Sequence, residues 1–265
     1  MGNPSNKTIS LMSEFNINDI KFDDGRNNRA NLGFILLSTD LACEIDTYRM
    51  APEGVGVSFT RLNTNDHITN ETLAKHIDQM AEAAARIQPE IKPDVISYCC
   101  TSGSIVIGED KICAEISRGA PYTKAITLVT GVVAALKQLE VKKLVIGTPY
   151  FDEINIVEKK FFQDQGFQVL DIKGLNLGNN IEFGKITPEY LKQFALSIDQ
   201  KEADAIFLSC SGIRALDIVE EVEAITGKPV ITSNQGQMWH ALRTAGITDK
   251  INGYGKIFNY YSLFE

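Results

Sequence analysis

The sequence of 265 residues predicts a parallel α/β protein built from two similar halves that face each other across a cleft. Three observations carry that expectation. First, short apolar runs alternate with segments of helical periodicity along most of the chain, the pattern of strand–helix units around a parallel sheet. Second, one local pattern occurs twice. Val95-Ile96-Ser97-Tyr98-Cys99-Cys100-Thr101-Ser102-Gly103 and Ala205-Ile206-Phe207-Leu208-Ser209-Cys210-Ser211-Gly212 each read as a buried strand that ends in a cysteine and turns into a helix. Third, strand ends recur at a nearly constant spacing. Cys100 and Cys210 lie 110 residues apart, as do Asp40 and Tyr150, and Ile126-Thr127 returns as Ile231-Thr232 after 105. A repeat of that length is a supersecondary assembly used twice.

The elements follow in order. Residues 32–37 form the first strand, an unbroken apolar run suited to burial on both faces. Residues 54–61 alternate and form the second. Thr69 or Asn70 caps a helix to Ile87, with Leu73, Ile77, Met80 and Ala84 on one face. Pro93 precedes the third strand, 95–98, and a helix runs from about 103 to 117. Residues 125–129 and 143–147 are strands with a helix, 131–139, between them. A helix over 153–165 stops at Gly166, and residues 167–172 are a strand. Residues 174–180 are an Asn/Gly-rich loop, and Pro188 opens a helix at its first turn. The strand 205–208, a helix from Cys210 to about 225, the strand 229–232 and a helix from 234 to 245 complete the second half. The division is a polar tail over 1–29, a first domain of 30–128 with 234–265, and a second domain of 129–233.

Composition narrows the function. The formal net charge is −8 and no Lys/Arg-rich run occurs, so a nucleic acid partner is not expected. No apolar run reaches the roughly 20 residues of a membrane span, and the N-terminus lacks the apolar core of a signal peptide. Five cysteines without framework spacing fit reduced thiols in a cytoplasmic protein.

Ligands of open α/β sheets bind beyond the carboxyl ends of the strands, which here carry Asp40, Cys100, Tyr150 and Cys210. A thiol at a helix start meets unpaired N–H groups and the positive end of the dipole, which predicts a lowered pKa. The same N–H groups suit a carboxylate or enolate oxygen. Two thiols on opposite faces of a bound carbon can exchange a proton across it. Alternatively, one adds to an activated alkene while the other acts as acid. Cys99 alternates with Cys100 along the strand and should point to the opposite face, under a helix. Cys43, Cys99 and Cys113 read as small buried hydrophobes.

Tyr98-Cys99-Cys100-Thr101-Ser102-Gly103-Ser104 and Ser209-Cys210-Ser211-Gly212-Ile213-Arg214-Ala215 resemble the two cysteine motifs of the aspartate/glutamate racemase superfamily. Within it the chain resembles the maleate cis-trans isomerase and arylmalonate decarboxylase branch. Leu37-Ser38-Thr39-Asp40 and Thr232-Ser233-Asn234-Gln235 are similar to racemase-like proteins associated with ectoine utilisation. The resemblance covers about residues 30 to 250. It implies two pseudo-symmetric Rossmann-like domains and no metal, pyridoxal phosphate or nucleotide cofactor. By it, Cys100 matches the nucleophile or first base and Cys210 the second acid/base. Tyr150 matches a tyrosine that positions a carboxylate and Asn180 a substrate-binding asparagine. Thr101, Ser102 and Ser211 supply backbone or hydroxyl donors.

The expected activity is that of an isomerase or racemase of a small carboxylate, an amino acid or a dicarboxylate such as maleate. An arylmalonate-type decarboxylase and a non-catalytic carboxylate-binding protein are the alternatives, and a homo-oligomer is compatible with all three. Both cysteines being present speaks against the decarboxylase, which in this branch works with one. Asp40 departs from the asparagine usual in maleate isomerases. It would repel a carboxylate unless protonated and would suit an ammonium group; capping the following helix is the plainer role. His67, His76 and His240 show no metal-ligand spacing and read as ordinary surface or helix residues, and Trp239 as packing between the halves. Neither a dinucleotide fingerprint nor a phosphate-loop lysine occurs.

Overall fold

The computed structural model describes residues 20–65 and 67–261. Of the expected polar tail, residues 1–19 lie outside the described residues, and 20–29 are exposed and outside any helix or strand. The chain then forms two parallel four-stranded sheets. Sheet one contains β1 (Ala30–Leu37), β2 (Val55–Leu62), β3 (Val95–Tyr98) and β4 (Lys124–Thr127), in the order β2-β1-β3-β4. Sheet two contains β5 (Lys143–Thr148), β6 (Gln168–Gly174), β7 (Ala205–Leu208) and β8 (Val230–Thr232), in the order β6-β5-β7-β8. The orders are the same once β5 to β8 are matched to β1 to β4, and every pairing is parallel. The central strands β3 and β7 are buried at all four positions, as unbroken apolar runs require. The edge strand β2 mixes buried and half-buried residues with one exposed residue, Arg61.

The helices are α1 (Cys43–Met50), α2 (Asn70–Ala74), α3 (Ile77–Ala85), α4 (Thr101–Ile107), α5 (Glu109–Gly119) and α6 (Leu128–Gln138) in the first half. Those of the second are α7 (Asp152–Asp164), α8 (Asn180–Lys185), α9 (Pro188–Ile198), α10 (Val219–Thr226) and α11 (Ser233–Thr244). The helix expected over 69–87 is two, broken at Lys75 and His76. That expected from 103 is also two, broken at Gly108, whose φ of +92° ends the first. Helix α8 was not anticipated, and α1 was expected only as the helix that Asp40 caps, without bounds. The buried side of α1 is Cys43, Asp46, Thr47 and Met50, half of it polar, so no apolar stripe marks it.

The two halves meet through α6 and α11, which follow the last strand of each sheet. Thr127 caps α6 by accepting from the Thr130 N–H, and Thr232 caps α11 by accepting from the Gln235 N–H. Four residues into each helix stands a glycine. A Cβ on Gly131 would lie 2.8 Å from the Gln237 Cα, and one on Gly236 would lie 3.1 Å from the Val132 Cα. The two backbones therefore cross in contact at matching positions, which only glycine permits at Gly131. Trp239 is fully buried in a core that includes Leu32 and Phe34 of sheet one and Leu144 and Phe207 of sheet two. Among the described residues no helix is long and apolar enough to cross a membrane.

Candidate active site

Strands β1, β3, β5 and β7 deliver the residues named above to one place between the sheets. Cys99 and Cys100 point to opposite faces. Cys99 Sγ accepts from Gln237 Nε2 of α11 at 2.9 Å, in the core shared by the two sheets, while Cys100 belongs to the apolar cluster that also holds Cys210 and Tyr150. All eight predicted site residues are buried.

Cys100 is the N-cap of α4. Its sulfur accepts the Gly103 N–H at 3.3 Å and lies 3.7 Å from Ser102 Oγ. Cys210 Sγ accepts the Gly212 N–H, also at 3.3 Å. Tyr150 lies against Cys210 and stacks edge-on with Phe183, centroids 5.8 Å apart. Ser233 ties the halves together: its Oγ lies 2.8 Å from Thr101 Oγ1 and accepts from the Cys210 N–H at 2.9 Å. Asn180, at the start of α8, donates from Nδ2 to Thr39 Oγ1 at 2.8 Å. A Cβ on Gly212 would sit 3.6 Å from Cys210 Sγ and 3.8 Å from Asn180 Oδ1, so these groups share one wall.

Asp40 caps the turn into α1, its Oδ1 accepting from the Ala42 and Cys43 N–H groups at 3.0 and 2.8 Å. It also faces the site: Ser211 is a hydrogen-bond partner, and its charge disfavours both thiolates. Burial raises its pKa above the usual carboxylate range against these favourable contacts. The Arg61 guanidinium holds the same loop, donating to the Leu37 and Asp40 carbonyls at 3.0 and 2.9 Å.

Two expectations need correction. Cys210 does not stand at a helix start. Residues 211–214 form a turn, a short 3₁₀ helix over Ala215–Ile218 follows, and only then does α10 begin. Cys210 has a φ of +136°, a conformation strained for any residue with a side chain, whereas Cys100 is relaxed at φ −149°. Nor are the thiols acidic. Burial pushes both pKa values up, and the N–H groups that reach each sulfur offset only part of that. Removing a thiolate from water here outweighs one long N–H···S contact.

Three contributors escaped the sequence reading. Ser233 lies within Thr232-Ser233-Asn234-Gln235, which carries the resemblance but had no role attached. Asn234 donates from Nδ2 to Asp46 Oδ2 at 2.8 Å and to the Ser211 carbonyl at 2.9 Å. Burial raises Asp46 to about 7. His76 is a correction rather than an omission: it is not an ordinary surface residue but is 2 % exposed, with Nδ1 2.7 Å from Tyr98 Oη. Among the described residues no three His, Cys, Asp or Glu side chains gather in a way that could hold a metal ion.

Fold and site together define a class: two similar parallel α/β halves, each contributing a cysteine from its second central strand to one buried locus. The arylmalonate decarboxylase family model matches residues 46–258, and the chain belongs to that family. Arylmalonate decarboxylase of Bordetella bronchiseptica is 28% identical over 203 residues, covering 72% of this chain and 82% of that protein. Among solved structures, a cysteine-to-alanine mutant of the Pseudomonas putida maleate isomerase with maleate has a TM-score of 0.79 at 20% identity, covering 87% and 98% of the two chains. A cysteine-to-serine mutant of the Nocardia farcinica maleate cis-trans isomerase, with a covalently bound succinylcysteine intermediate, also has a TM-score of 0.79, at 22% identity and covering 86% and 98%.

Proposed function

We propose that the protein is a cofactor-independent isomerase of a small carboxylate, an amino acid or a dicarboxylate such as maleate, that works with Cys100 and Cys210 as a pair. The observation that carries this reading is the meeting of two thiols, one from each half, at one buried locus. Each cysteine is 4 % exposed, and each sulfur holds a backbone N–H at 3.3 Å. The maleate-bound relative and the succinylcysteine of another support a carboxylate substrate and a cysteine adduct.

In the racemase form, one cysteine as thiolate removes the Cα proton and the other, as thiol, delivers its proton to the opposite face. The roles are then exchanged for the reverse reaction. In the cis-trans form, the Cys100 thiolate adds to one alkene carbon and the π electrons move to the carboxylate-bearing carbon. Cys210 protonates that carbon. Rotation about the new single bond, removal of the same proton and expulsion of Cys100 complete the change. In this reading Tyr150, Asn180, Thr101, Ser102 and Ser211 hold the carboxylate. Asp40, whose pKa burial raises, donates to a carboxylate when protonated or, ionised, pairs with an ammonium group. Residues 30–128 with 234–265 and residues 129–233 serve as the two domains, and the free thiols suit a reducing, cytoplasmic setting.

The test has two arms with the wild-type protein. Maleate is followed to fumarate by absorbance, and a panel of amino acids is followed by NMR in deuterated water for loss of the Cα–H signal. Conversion in either arm supports the reading. Release of carbon dioxide from a substituted malonate with neither conversion would replace it with a decarboxylase.

A further inference from the structure

Both reaction forms need one cysteine as a thiolate, yet burial raises the pKa of each, so the proton removed needs a destination. One line of polar atoms leads from Cys100 to the surface. Tyr98, the last residue of β3, turns its phenol toward the site. A Cβ on Gly103 would lie 2.2 Å from Tyr98 Oη and 3.0 Å from Cys100 Sγ, so oxygen and sulfur flank the same glycine. Tyr98 Oη is 2.7 Å from His76 Nδ1, and His76 Nε2 is 2.9 Å from Thr64 Oγ1. Thr64 and His76, with Lys75 and Gln79, line a surface cavity of about 220 Å³. Cys210 has no such line on its own strand, because the residue matching Tyr98 is Leu208.

Resting on the two-cysteine reading, we propose that Tyr98, His76 and Thr64 form a proton relay that accepts the Cys100 proton and holds the resulting thiolate. With His76 protonated at Nε2, the Tyr98 hydroxyl donates to Nδ1 and its oxygen can accept from the thiol. The thiol proton passes to the phenol oxygen as the phenol proton passes to Nδ1. The Nε2 proton leaves toward Thr64 and the cavity. Afterwards Nδ1–H donates to Tyr98 Oη, the phenol donates to the sulfur anion, and the Thr64 hydroxyl donates to Nε2. No group but the sulfur changes charge, and one proton has moved from Cys100 to the cavity. Burial favours this tautomer exchange over an imidazolium, since it lowers His76 to about 4. The titratable groups that face the line are Lys75 in the cavity and Asp40 beside the thiol.

Tyr98 and His76 are positioning residues here, and thiolate formation reads them without turnover. The experiment follows iodoacetamide alkylation of Cys100 and Cys210 in the full-length protein across neutral to alkaline pH, resolved by peptide mass spectrometry. Tyr98→Phe removes a donor to the thiolate and is expected to slow Cys100 about tenfold. It should displace the pH profile upward while leaving Cys210 within about twofold. His76→Leu, two groups away, should slow Cys100 about threefold, and His76→Gln, whose amide can donate to the phenol oxygen, should restore it. An unchanged Cys100 in His76→Leu, or equal slowing of both cysteines, would overturn the relay. Absence of isomerase activity in the wild type would defeat the function above but leave this readout intact.

Discussion

The two cysteines occupy matching places in matching halves, yet their surroundings differ. Cys100 is a relaxed N-cap beside a phenol that leads to His76, and it is followed at once by a helix. Cys210 is held at φ +136°, is followed by a turn, and receives its backbone restraint from Ser233 of the next strand–helix junction. Duplication accounts for the strand order, the capping threonines and the crossing glycines. It does not account for the site, where each half has been built differently around its sulfur. A symmetric scaffold therefore supplies two thiols at one locus and surrounds them with unequal local chemistry.

The comparison can be broken most forcefully by removing each sulfur. Cys100→Ala and Cys210→Ala are each expected to lower turnover in the absorbance or NMR assay by about 10²–10⁴-fold, the range for losing a positioned acid or base. If one variant keeps wild-type turnover, the pair is reduced to a single working cysteine.

A second contrast concerns buried carboxyls on the helices that follow β1 and β5. Asp46 on α1 accepts a hydrogen bond from Asn234, whereas both oxygens of Glu158 on α7 are buried without a hydrogen-bond partner among the described residues; Ser209 lies beside them. Burial raises Glu158 from 4.5 to about 7. The folded state then holds this proton more tightly than the unfolded chain. Stability is greatest below the unfolded pKa and falls as pH rises from there to about 7, by up to about 3 kcal/mol. Glu158→Gln should flatten that part of a denaturant-midpoint against pH curve; an equally steep curve would show that Glu158 is not its source.

The glycines after each sulfur should respond unequally. Gly103→Ala places a methyl 2.2 Å from Tyr98 Oη and should cost about 1–3 kcal/mol of stability as well as Cys100 reactivity. Gly212→Ala finds its nearest atom at 3.6 Å and should change unfolding free energy by less than about 0.5 kcal/mol. Comparable losses in chemical denaturation would mean that the two walls are packed alike.

The smallest expected difference probes the backbone alone. At position 210, glycine should be more stable than alanine by about 1 kcal/mol, because glycine accepts a positive φ that strains alanine. At position 100 the order should reverse. The same order at both positions would remove backbone strain as a distinction between the cysteines.

Much of this was legible beforehand, for identifiable reasons. The spacings of 110 between Cys100 and Cys210 and of 105 between Thr127 and Thr232 survive in the strand registers, because strand ends and caps are fixed by backbone geometry; the spacing of Asp40 and Tyr150 does not, since β1 and β5 match at an offset of 112, Phe34 with Ile146. The apolar runs of β1, β3, β5 and β7 could hardly be anything but strands buried on both faces. The extent of helix α1 after the capping Asp40 was not legible because it buries Asp46 and Thr47 rather than an apolar stripe. His76 looked like one more polar helix residue; the break at Lys75 that turns it inward has no glycine or proline to announce it. The sign of the thiol shifts was misjudged because a helix-start motif reveals the N–H groups near a sulfur but not how thoroughly water is excluded. The turn after Cys210 was missed because Ser211-Gly212 caps helices and makes tight turns with equal ease.

The central claim is that one thiol from each half works on the same substrate. A crystal structure with substrate or product bound tests it most directly. The account predicts the reacting carbon between Cys100 Sγ and Cys210 Sγ, with both sulfurs at about 3–3.5 Å and the carboxylate held from the Tyr150 and Asn180 side. A ligand that touches only one sulfur, or that lies outside the cleft between β3 and β7, would contradict it.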